Sequence, residues 1–109
     1  MELTEIKAKL DTLKMPVAYM CFKAPQDLPF VVYYEAGTEI KGSDHYNLYR
    51  DVTINIELYT EEKQPSLERQ IESLFRDREI EKTTDTYISE EKMFMTTFSF
   101  DTTQFIEEE

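Results

Sequence analysis

Near the start of the chain Leu3, Ile6, Leu10 and Leu13 recur at intervals of three, four and three, while Glu2, Glu5, Lys7, Lys9 and Asp11 take the other faces. That spacing predicts an amphipathic helix from about Glu2 to Lys14. Pro16 cannot supply a helical N–H and disfavours helical geometry at Met15, so the helix ends there and a strand over Val17–Lys23 begins. A polar turn between Ala24 and Pro29 follows, and Phe30-Val31-Val32-Tyr33-Tyr34 reads as a second strand. The stretch from Ala36 to Tyr46 holds both glycines, Gly37 and Gly42, with Ser43 and Asp44, and predicts a loop or hairpin tip.

Beyond it Val52, Ile54, Ile56 and Leu58 alternate with Thr53, Asn55, Glu57 and Tyr59, which places every aliphatic residue on one face of a third strand. Pro65 suits the first turn of a helix, and Leu67, Ile71, Leu74 and Phe75 form one stripe of a helix over Pro65–Asp77, with Glu72 and Arg76 spaced for an ion pair. Ile80–Ile88 and Lys92–Asp101 read as two strands of a hairpin turning at Ser89-Glu90-Glu91. The order α-β-β-β-α-β-β implies an α+β domain spanning 1–109: a mostly antiparallel sheet of four to five strands, two helices on one face, and a short acidic tail over about 102–109.

Two helices on one face leave the other face of the sheet to be explained. Its candidate residues are Tyr33 or Tyr34, Tyr59, Tyr87, Met93 and Met95, larger than a face meant only for water requires. They form a candidate subunit interface. The predicted loop supplies a second candidate contact surface, comprising Gly37, Glu39, Lys41, Gly42, Asp44, His45 and Tyr46.

Charge narrows the range of partners. Twelve Lys and Arg against 23 Asp and Glu give a formal net charge of -11, which disfavours specific binding to nucleic acid or to anionic lipid. No apolar run reaches the roughly 20 residues of a membrane span, and the first residues lack the layout of a signal peptide, so an intracellular protein is expected. Cys21, the single cysteine, is expected to be buried in the run Val17–Phe22 and not to act as a reactive thiol.

Catalytic chemistry finds little to work with. The single His45 and Cys21 stand 24 positions apart on different elements, without a local signature of a nucleophile and base. Neither glycine belongs to a phosphate-binding loop, and Asp44-His45 is too small a set for a metal site. Neither enzymatic activity nor a cofactor is expected.

Three segments, Met15-Pro16-Val17-Ala18-Tyr19, Phe22-Lys23-Ala24-Pro25-Gln26 and Leu28-Pro29-Phe30-Val31-Val32-Tyr33, resemble in order the opening of small tail-region proteins of Gram-positive siphophages and prophages. Val52–Thr60, the helix rich in Leu and Glu, and Thr86–Phe94 resemble their second half, so the likeness covers most of Met15–Phe100. The proteins concerned resemble the tail terminator, or tail completion, family. Its members form a ring, usually hexameric, that caps the tail tube and joins it to the head connector.

The resemblance implies a non-catalytic α+β ring subunit. Its partners would be further copies of itself, the major tail tube protein and the head–tail connector proteins, with DNA passing through without specific binding. It would be found in the host cytoplasm during assembly and then in the virion. The Tyr- and Met-bearing face would be buried between subunits, and the Ala36–Tyr46 loop would project toward the lumen or tube. The alternative reading is a small acidic protein-binding module, a regulator or inhibitor, using the same sheet face.

Overall fold

The computed structural model describes the backbone of residues 1–43 and 46–105, and side chains outside 43–48, 84–85 and 106–109. The elements are α1 (Leu3–Asp11), β1 (Val17–Tyr19), β2 (Phe30–Ser43), β3 (Tyr46–Thr60), α2 (Pro65–Leu74), β4 (Glu81–Ile88) and β5 (Met93–Phe105). The strands form one five-stranded sheet in the order β1-β2-β3-β5-β4. Only β1 runs parallel to its neighbour; the other pairings are antiparallel. This is the α+β architecture expected, with both helices on one face.

Alternation in β3 sets the two faces. Val52, Ile54, Ile56 and Leu58 point toward the helices and are fully or almost fully buried. Register puts Val31 and Tyr33 of β2 and Phe98 and Phe100 of β5 in the same layer, opposite Leu58, Ile56 and Ile54. Ile6 and Leu10 of α1 and Leu67, Ile71 and Phe75 from α2 and its C-terminal cap close the core over them. Phe75 stacks on Phe100 with centroids 4.8 Å apart, and the Arg78 guanidinium lies 5.3 Å from the same ring.

Helix ends fall short of the predicted ones for local reasons. At the end of α1 the Thr12 hydroxyl donates to the Lys9 carbonyl at 2.6 Å, and Lys14 turns the chain with φ 60°. α2 stops at Leu74, so Glu72 pairs with Lys82 of β4 at 3.4 Å and not with Arg76. Glu68, only 2% exposed, is held inside by Lys63 at 3.1 Å and Lys82 at 2.7 Å. That clamp ties α2 to β4.

Three expectations are corrected. The segment Ala36–Tyr46 is the outer part of a hairpin, as one of the two readings had it, and not an irregular loop: β2 runs to Ser43 and β3 starts at Tyr46, so most of it is a paired β-arm. The glycines sit beside two register shifts, at Glu35/Gly37 and Lys41/Gly42, where a bulge tolerates residues that a regular strand disfavours. The tail expected from about 102 is strand up to Phe105, with Thr102 and Gln104 buried. Finally β1 ends at Tyr19, because Met20 adopts φ 68° and the Cys21 N–H donates to the Tyr19 carbonyl at 2.7 Å. Cys21 is therefore exposed, not packed in a strand.

Candidate functional site

On the sheet face opposite the helices, β3 presents Thr53, Asn55, Glu57 and Tyr59. Register aligns Phe30, Val32 and Tyr34 of β2 on one side of them and Met95, Thr97, Ser99 and Asp101 of β5 on the other. A hydrogen-bonded chain crosses this face. Ser99 Oγ donates to Asn55 Oδ1, and Asn55 Nδ2 donates to the Tyr34 hydroxyl at 3.3 Å. The Tyr34 hydroxyl donates to Glu57 Oε2 at 2.9 Å and the Tyr59 hydroxyl to Glu57 Oε1 at 2.7 Å.

Two phenols thus converge on one carboxylate. Burial, reinforced by the Glu57 carboxylate, pushes the Tyr59 phenol far above its usual range. For Tyr34 the Asn55 hydrogen bond pulls downward, yet burial and Glu57 outweigh it and the net shift is upward. Both hydroxyls therefore stay protonated as donors. Each Glu57 oxygen keeps lone-pair capacity beyond its tyrosine, and no cation pairs with Glu57 among the described residues. Ser99 donates to an amide oxygen rather than to a base, so this network orients groups and does not activate a nucleophile.

Beside Glu57 the segment after β1 borders an open, shallow cleft of about 460 Å³ on this face. Met20, Phe22, Pro25, Phe30, Val32, Glu57 and Tyr59 are among the residues that line it. The aromatic rings are linked: Phe22 meets Phe30 edge-on at 5.4 Å, and Phe30 stacks on Tyr59 at 4.9 Å. At the arm end the same face turns acidic. Glu39, Asp51 and Asp101 line a second hollow there, with Lys41 paired to Asp51 at 3.1 Å and Glu39 at 3.9 Å.

The residues singled out from sequence divide as follows. Tyr34, Tyr59, Met93 and Met95 share the open face. Tyr33 does not: it faces the helices, is 5% exposed, and packs against Tyr19 at 5.3 Å. Tyr87 lies on the helix-side row of edge strand β4, 52% exposed, against Phe94 at 4.9 Å. Gly37, Glu39 and Lys41 lie on the arm, with Glu39 paired across to Asp51 and Lys41 to Tyr49. Gly42 pairs with Asn47 and Tyr46 with Ser43, while Asp44 and His45 lie outside the described residues.

Sequence reasoning missed Glu57, Asn55, Ser99, Phe22 and Phe30 as site residues. The alternation of β3 was the available signal, since it puts Glu57 on one face with Asn55 and Tyr59. Among the described residues no group of three His, Cys, Asp or Glu side chains could hold a metal ion, and no helix is long and apolar enough to cross a membrane. Compared with known proteins, the chain matches no protein-family model and no curated protein.

Proposed function

We propose that the chain is a non-catalytic structural subunit of a siphophage or prophage virion, a tail terminator or head–tail joining protein that assembles into a ring on the tail tube. The observation that supports this most is the open sheet face. Tyr34, Tyr59, Met93 and Met95 stand on a side that no helix covers, and large side chains on such a face are best accounted for by burial against a neighbouring subunit. The β2–β3 arm adds contact surface: residues 36–42 of β2 are all exposed, Ile40 and Phe105 present apolar surface there, and the molecule is elongated, 51 Å by 29 and 25 Å.

In this reading the arm and the part of the face around Met93 and Met95 contact the next copy of the chain, while the tube and the head connector are the further partners. The protein then passes from the host cytoplasm to the head–tail junction of the virion. Purified protein mixed with tail tubes and viewed by electron microscopy should give rings closing the tube ends. Bare tube ends at saturating protein would overturn the proposal.

A further inference from the structure

The cleft beside Glu57 carries an inference beyond ring formation. A carboxylate at the wall of an aromatic cleft, fixed by two phenols and unpaired with any cation among the described residues, has the features of a receptor for a positive group. The rings of Phe22, Phe30 and Tyr59 form a continuous wall leading to that carboxylate. Such a wall accepts the aliphatic stem of a lysine or arginine and also attracts its charged head. A neutral apolar ligand would leave the carboxylate desolvated and unmatched, which is unfavourable.

We propose that this cleft binds a lysine or arginine side chain presented by a different protein. Charge complementarity identifies the partner as a basic one. With 12 cationic and 23 acidic residues, the chain carries a net charge that steers a basic protein toward the acidic face. Lys23 also lines the cleft, but it is exposed and makes no ion pair to Glu57 among the described residues, so the chain's own lysine does not fill the site.

The test is an amide-resolved NMR titration of the full chain with Nα-acetyl-arginine amide and Nα-acetyl-lysine amide, using neutral Nα-acetyl-norleucine amide as comparator. Shifts should concentrate at Met20–Gln26 and around Glu57–Tyr59 with the cationic probes. Glu57→Gln should weaken binding by about tenfold, the loss typical of a partly desolvated charge pair. Phe22→Ala, which leaves the carboxylate in place, should weaken it as well, and Glu81→Gln, elsewhere on the open face, should leave it unchanged.

Several results would overturn the proposal. These are equal binding of the norleucine probe, unchanged affinity in both Glu57→Gln and Phe22→Ala, and binding that emerges only in Lys23→Gln, which would assign the carboxylate to Lys23. Cleft amides that shift when the protein alone is concentrated would replace the foreign partner with a second copy. None of these readouts involves tail tubes, so failure here and failure of the ring reading are separable.

Discussion

Glu68 offers a sharp test of how this fold holds together, because the burial of its ion pairs is lopsided. The carboxylate is 2% exposed, whereas the Lys63 and Lys82 side chains that reach it at 3.1 and 2.7 Å are 50% and 37% exposed. Replacing the acid by methionine lets both lysines turn to water and fills the vacated space with an apolar side chain. The lost attraction is largely offset by removing the desolvation of the carboxylate, so Glu68→Met should cost about 1 kcal/mol or less. Replacing both lysines by methionine leaves the carboxylate buried without a cation, which should cost about 3–5 kcal/mol.

Urea unfolding with matched slopes measures both variants against the parent. The triple variant should recover most of the loss. A Glu68→Met variant less stable than the double-lysine variant would refute the reasoning, since it would show attraction outweighing desolvation at this site.

Other outcomes follow from the same geometry. The Lys82 ammonium is raised by its Glu68 hydrogen bond, and the Tyr59 and Tyr33 phenols are raised by burial; a folded pKa above the unfolded one gives stability that is present below about pH 10 and lost as pH rises. Urea midpoints should therefore fall through the alkaline range, and Tyr59→Phe should flatten that fall. Ile54→Ala, at a fully buried site, should cost about 2–5 kcal/mol in the same assay, while Thr53→Ala on the open face should cost far less. Lys92 closes the β4–β5 turn with φ 52°, so Lys92→Gly should be neutral or stabilising by up to about 1 kcal/mol.

The sequence was legible where one face of an element is buried and the other is not. The alternation from Val52 to Leu58 and the stripe Leu67-Ile71-Phe75 located β3, α2 and the core, because burial imposes a period on the sequence. It was illegible in the arm, where residues 36–42 are exposed on both sides and nothing selects between apolar and polar positions. Tyr33 and Tyr34 could not be separated from sequence; only pairing with Ile56 and Asn55 sends one inward and the other outward. The Glu57 site depended on contacts between β2, β3 and the segment after β1, and its aromatic wall joins Phe22 to Tyr59 across a span that local periodicity does not register.

The irregularities of the arm have one more consequence. Past Tyr33 no strand lies on the outer side of β2 among the described residues, so a row of peptide groups there faces solvent. A long regular edge of this kind invites foreign strands to add without limit. Here the register breaks at Glu35/Gly37 and Lys41/Gly42, with the charges of Glu39 and Lys41 between them, leaving no regular run long enough to template another chain. The arm can thus remain open to a specific neighbour, and straightening those breaks is expected to promote open-ended strand addition.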